Sequence, residues 1–265
     1  MVQISWFPLA VLAALSVGGC AGPALDATMA TYRLAAGPIE VEGIDDNLSG
    51  LCFDTESGRL LAVVNGPCLL LEMTTEGEVL RTFEIADGGD TEGVALVDGE
   101  LAISDEGVNG VLMYARPGPA DEELRFLGEI PVGEGPTFNR GPEGVAYDPA
   151  GDRLFVVKEK DPMQLYEVAL SAKDAEGRPV VRKLWALEGR SPGVTDAAGL
   201  CYDPESKLLL VVSDEGMCVL ACTPAGEVVG RLDLPKPPQA EGVALGPDGT
   251  IYVVGEPNLL YLFRP

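Results

Sequence analysis

One short phrase recurs five times along this chain: Ser49-Gly50-Leu51-Cys52, Glu92-Gly93-Val94-Ala95, Glu143-Gly144-Val145-Ala146, Ala198-Gly199-Leu200-Cys201 and Glu241-Gly242-Val243-Ala244. Its glycines are spaced 43, 51, 55 and 43 residues apart. A period of about 45 residues built from strand-like pieces is the mark of propeller blades, because one such unit cannot bury its apolar faces alone. A two-sheet sandwich would leave the repeat unexplained.

Each unit reads alike. A short strand follows the glycine, then a turn such as Asp148-Pro149-Ala150-Gly151 or Asp203-Pro204-Glu205-Ser206. β-Branched and aliphatic runs come next at 60–64, 101–103, 154–157, 208–212 and 251–254, with third strands at 69–73, 111–114, 164–168, 218–222 and 259–263. Four units add a fourth strand, as at 79–85 and 228–234, whereas the fifth stops at Pro265. The segment Thr31–Ala35 can supply the missing strand from the other end of the chain. The expectation is an all-β propeller of five four-stranded blades, closed by an N-terminal strand that completes the last blade. The 33 glycines and 21 prolines suit so many turns.

The extreme N-terminus reads as an address. Residues from Ile4 to Gly19 are almost wholly apolar, are broken by Pro8, and end in Val17-Gly18-Gly19-Cys20. That run is short for a membrane span and fits a cleaved export signal. Small residues before the cysteine resemble a lipobox, although Met1 to Trp6 carries no Lys or Arg. The expected organisation is a signal peptide at 1–19, a tether at 20–29 starting with lipidated Cys20, and one propeller domain at 30–265. Such a protein would sit in the cell envelope on a lipid anchor, with no other contact to the membrane. In a Gram-negative cell it would sit on the outer membrane facing the periplasm. Five cysteines remain, an odd number that cannot all pair internally. Cys52 and Cys201 stand where other repeats have alanine and read as core residues.

With 42 acidic against 18 basic residues the formal charge is −24, which disfavours nucleic acid and favours cations. The chain has no histidine, so Ser-His-Asp, Cys-His and the commonest zinc ligation are excluded. Antiparallel pairing places the start of each first strand and the end of each second strand at one mouth of the channel. Glu92, Glu143 and Glu241 occupy the first position, with Ser49 and Ala198 completing the ring. Asp105, Glu159, Asp214 and Glu256 occupy the second, with Asn65 in the first unit, and Glu106 or Glu215 can replace its neighbour. Carboxylates so close need protons, a cationic partner or a metal. Hard oxygen donors suit Ca²⁺, while Lys158, Lys160 and Arg140 offer an alternative neutralisation. The plain structural reading is that the glutamates cap loop backbone amides at the blade entrances.

Several longer phrases carry a resemblance: Asn47-Leu48-Ser49-Gly50-Leu51, residues Asn139 to Asp148, Val157-Lys158-Glu159-Lys160-Asp161-Pro162, Val212-Ser213-Asp214-Glu215, and Pro238 to Ala244 followed by Glu256-Pro257-Asn258-Leu259-Leu260-Tyr261. They resemble the SdiA-regulated, YjiK-like propeller family from about Gly43 to the C-terminus. The resemblance implies an exported or envelope-associated propeller and names a mode of transcriptional control, not an activity. The Glu-Gly and Asp-Glu phrases are also distantly similar to calcium-containing phytase-like and gluconolactonase-like propellers, which implies carboxylates around a metal at a channel mouth.

Three functional readings follow. The first is a binding module with a calcium-binding acidic mouth that takes an unknown ligand or envelope protein. The second is a metal-dependent hydrolase of an ester, lactone or phosphate, with Glu143 or Glu241 as general base. The third is a scaffold without a small-molecule site.

Overall fold

The computed structural model describes residues 25–133, 141–187, 189–236 and 239–265. The expected signal peptide, Cys20 and Arg140 lie outside the described residues.

Strand β1 (Arg33–Glu40) precedes the first repeat. Blade 1 holds β2 (Leu48–Asp54), β3 (Arg59–Val64), β4 (Leu69–Met73) and β5 (Val79–Glu84). Blade 2 holds β6 (Thr91–Val97), β7 (Glu100–Asp105), β8 (Gly110–Ala115) and β9 (Arg125–Pro131). Blade 3 holds β10 (Pro142–Asp148), β11 (Arg153–Lys158), β12 (Gln164–Lys173) and β13 (Pro179–Ala186). Blade 4 holds β14 (Gly199–Asp203), β15 (Leu208–Ser213), β16 (Cys218–Cys222) and β17 (Val228–Asp233). Blade 5 is β18 (Ala240–Leu245), β19 (Ile251–Gly255) and β20 (Leu259–Arg264), with β1 as its outermost strand. All pairs are antiparallel, so the five-bladed expectation holds, as does closure by the N-terminal strand.

Burial explains the sequence pattern. Second and third strands are covered on both faces by neighbouring blades and read as unbroken apolar runs, as in Leu208–Ser213 and Cys218–Cys222, where every residue is buried. Outer strands such as Val79–Glu84 alternate towards solvent. At the face away from the acidic residues, an aspartate closes the turn after each first strand of blades 1, 3 and 4. Asp54, Asp148 and Asp203 accept backbone amides two residues on, from Glu56, Ala150 and Glu205 at 3.0–3.1 Å. This end is the turn face below.

The repeat glycines are explained by contact between blades. A Cβ on Gly50, Gly93, Gly144 or Gly242 would sit 2.5 Å from backbone atoms of the next inner strand, and one on Gly199 would overlap the Glu241 carbonyl. Inner strands therefore meet backbone to backbone around the whole ring, and only glycine leaves room.

The N-terminal segment differs from expectation in two ways. The closing strand begins at Arg33, not Thr31, and runs to Glu40, because irregularities near Ala36 let it follow the whole of β20. The expected tether to Met29 is partly packed: Leu25, Met29 and Tyr32 are buried among side chains of blades 4 and 5. Alternating apolar residues there cover the seam between those blades, which the periodicity of a short polar stretch did not reveal.

Gly93→Ala is expected to destabilise the fold by about 3 kcal/mol, the upper end for overpacking. Gly89→Ala, whose Cβ would meet nothing nearer than 3.9 Å, is expected to cost less than about 1 kcal/mol. Chemical denaturation of the two variants checks both.

Candidate functional site

The glutamates before the repeat glycines are aimed by a local irregularity. In blade 2, Thr91 pairs with Asp105 and Gly93 with Ser104, so Glu92 is an extra, unpaired residue. Glu241 is likewise extra between the pairs Ala240–Gly255 and Gly242–Val254. A register shift also spans Glu143-Gly144, and another spans Ser49-Gly50. Such a bulge turns a side chain out of the strand's alternation, here towards the mouth. Blade 4 pairs regularly from Gly199 onward, and it is the blade with alanine at this place. Bulge and mouth-facing polar side chain thus go together.

Glu92 bridges two blades. Its Oε1 accepts Asn65 Nδ2 at 2.7 Å, and its Oε2 lies 2.8 Å from Ser49 Oγ. Ser49 Oγ is also 2.9 Å from the Glu92 carbonyl oxygen. A hydroxyl has one proton and can satisfy only one of those acceptors, so a protonated Glu92 completes the set by donating to Ser49. Burial, reinforced by Asp90, Glu241 and Glu106, pushes the Glu92 pKa up to about 8 against the opposing Ser49 bond. The carboxyl therefore keeps its proton at neutral pH.

Glu143 is buried, and burial followed by the charges of Glu92, Glu106 and Glu159 holds its carboxyl well above the usual range. Glu106 and Glu143 share a hydrogen bond, which two carboxyl groups can make only if one carries a proton. Glu106 also accepts the Gly141 amide.

Glu241 rises to about 8, first by burial and then by Glu256, Asp214, Asp196 and Glu159. Among the described residues its carboxyl accepts no hydrogen bond. Glu159, Asp214 and Glu256 are each raised too, mainly by burial. Lys160 neutralises part of this side, lying 2.6 Å from Glu159 and 3.3 Å from Glu215. The Lys158 ammonium instead donates to the backbone carbonyls of Asp161, at 3.0 Å, and Lys160.

Glu92, Glu143, Glu159, Asp214, Glu241 and Glu256 thus act on one another around the mouth. Asp105 does not join them. It is fully buried, and its oxygens accept the amides of Gly89, Asp90 and Val108 at 2.8–3.1 Å, so it takes the loop-capping part that the plain structural reading gave to the glutamates. Glu106 takes its place. Glu215 faces outward to Lys160 and Thr195, leaving Asp214 as the mouth residue of blade 4.

The sequence reasoning missed Asp196. It is 2% exposed, accepts Ser213 Oγ and the amides of Asp214 and Glu215, and acts on Glu241 and Glu159. Its signal was an acidic residue two positions before Ala198, in the blade that lacks the glutamate.

The oxygen donors are of the kind calcium takes, yet among the described residues no three acidic or cysteine side chains gather closely enough to hold one ion. Glu92, Glu106, Glu143, Glu159 and Asp214 are paired instead with Ser49, Asn65, backbone amides, Lys160 or each other. Just below them the repeat glycines let adjacent inner strands meet backbone to backbone, and the mouth above that ring is the cup. Burial pushes the Cys52 thiol up to about 11 and that of Cys201 up to about 12, which suits core residues and leaves no thiolate nucleophile at neutral pH.

The fold and cup define a five-bladed propeller with a protonatable carboxyl ring at one end. The chain belongs to the SdiA-regulated family, whose family model matches residues 25–264. Among solved structures it is similar to a glutaminyl cyclase of Myxococcus xanthus, at 16% identity over 88% of this chain and 95% of that one, with a TM-score of 0.62. It is also similar to a gluconolactonase of Xanthomonas campestris, at 15% identity over 92% and 98%, with a TM-score of 0.55. A luciferin-regenerating enzyme matches at 14% identity over 88% and 95%, again with a TM-score of 0.55. At these identities the likeness is one of fold.

Because Glu92 and Glu241 titrate near 4.5 when unfolded and near 8 when folded, the folded state retains their protons across that interval. Their contribution to stability is whole below pH 4.5 and is lost as pH rises through about 8. Thermal melts are expected to fall by at least about 4 °C between pH 5 and pH 8.5. In Glu92→Gln/Glu241→Gln most of that slope is expected to vanish, with the variant the more stable protein at pH 8.5.

Proposed function

We propose that this SdiA-regulated propeller is an exported, lipid-anchored binding module whose acidic cup takes up cations, with calcium the metal its donors suit. The observation that carries the reading is the ring of partly to fully buried carboxyls just above the repeat glycines. At neutral pH much of the ring is held neutral by protons. A cation entering it displaces those protons and meets carboxylates in a site shielded from water, where attraction is stronger than at an open surface. Glu92, Glu143 and Glu241 stand too far apart here to share one ion, so holding it would require them to draw together from the inner strands, with Glu106, Glu159, Asp214 and Glu256 around them. When bound, calcium would supply charge that replaces the protons and ties neighbouring blades together.

Binding and proton release are therefore linked, and affinity rises with pH. Calcium at saturating concentration is expected to raise the melting temperature more at pH 8.5 than at pH 6, with chelator reversing the gain. Glu92→Gln/Glu241→Gln is expected to abolish it. No shift at either pH would refute the ion-binding reading. Cys20→Ala is expected to move the protein from the membrane fraction to the soluble one.

A metal-dependent hydrolase is the second reading. It is favoured by Glu241, a carboxyl titrating near 8 that accepts no hydrogen bond among the described residues, which fits a general base working at or above about pH 8. Chromogenic esters, lactones and phosphates with added metals distinguish it: turnover lost in Glu241→Gln supports the hydrolase, and silence across the panel supports the binder.

A further inference from the structure

We infer that the propeller is held with its acidic cup facing away from the membrane and its turn face towards it. This rests on the lipid anchor at Cys20 proposed above, but the direction comes from how the chain enters the fold.

Residues Asp26 to Tyr32 do not hang free. The Asp26 carboxylate binds Thr28 Oγ1 at 2.9 Å and Thr31 Oγ1 at 3.0 Å, while the amide of Met29 returns to the Asp26 carbonyl and that of Tyr32 to the Met29 carbonyl. This compact double turn is locked down by Met29, 1% exposed, and by Leu25 and Tyr32 in the seam between blades 4 and 5. The Ala27 carbonyl packs where Gly230 has no side chain, since a Cβ there would overlap it.

The end of the molecule at which this happens is fixed by Tyr32. Its hydroxyl donates to the Gly249 carbonyl at 2.8 Å, in the β18–β19 turn on the turn face. Asp26, Asp203 and Asp248 all act on that hydroxyl, and the last two belong to turns of the same face. Strand β1 then starts opposite Arg264, at the end of β20, and runs towards the mouth.

Reach decides the rest. Five backbone steps separate Cys20 from buried Leu25. Fully extended, at about 3.3–3.6 Å each, they span about 17 Å. Inner strands of five to seven residues, at about 3.3 Å each, put the mouth about 17–23 Å beyond the turn face. A lipid on Cys20, at the end of so short a tether, therefore leaves the turn face, where the chain enters, as the end nearer the bilayer.

The test uses the full-length lipoprotein, purified from membranes and reconstituted into phosphatidylethanolamine–phosphatidylglycerol vesicles doped with nitroxide-labelled lipid. A clickable residue replaces Asp45, exposed in the loop at the mouth, or Glu205, exposed in the β14–β15 turn, and carries one dye. Quenching by the nitroxide is expected to be at least threefold stronger at 205 than at 45. Mass measurement of the N-terminal peptide first establishes the lipid on Cys20. An unmodified Cys20 overturns the anchor and this inference together, whereas a lipidated protein with equal or reversed quenching overturns the orientation alone.

Discussion

Five inner strands touch backbone to backbone at the repeat glycines, and everything else in the molecule is arranged around that contact. A single Cβ at any of these positions would fall within 2.5 Å of the neighbouring strand, so the ring can close only if every blade supplies glycine there. Close approach at the axis lets apolar second and third strands of adjacent blades pack face to face behind it. It also leaves little room beneath the residues that precede the glycines. The same geometry that builds the core thus gives the mouth its floor.

Crowding of acids at that mouth is an electrostatic cost the fold does not relieve with bases. Lys160 is paired at one side, but Glu92, Glu143 and Glu241 are kept near neutrality chiefly by burial. Hydrogen bonding conforms to this state: the Ser49–Glu92 triangle and the Glu106–Glu143 pair both need a proton between oxygens. A ring of acids held as carboxyls is a store of exchangeable protons. The proposed uptake of cations would draw on that store rather than on a prebuilt cage.

The two ends of the propeller are chemically different. At the turn face aspartates are consumed by backbone amides and arginines, as Asp54 is by Glu56 and Arg116, and Asp148 by Ala150 and Arg153. At the mouth the carboxyls face one another. The chain enters at the first end and the proposed ligand at the second, so the proposed anchor and the proposed ligand need not compete for one surface. Likeness to cyclase and lactonase propellers speaks for the shared ring and leaves the chemistry of the cup to its own residues.

Blade number, strand order and closure by the N-terminus were determined by the sequence itself, because a repeated glycine phrase and unbroken apolar runs each have one physical cause. The Glu-Gly phrase even encoded the bulge that aims Glu92 and Glu241 at the mouth. Only the tertiary structure decided that Asp105 turns into a loop while Glu106 turns into the cup, that Asp196 serves the blade lacking a glutamate, and that Leu25 to Tyr32 is packed. At a strand end the direction of a side chain is set by the loop amides and neighbouring blade it meets. Those partners lie tens of residues away, beyond the reach of any local pattern.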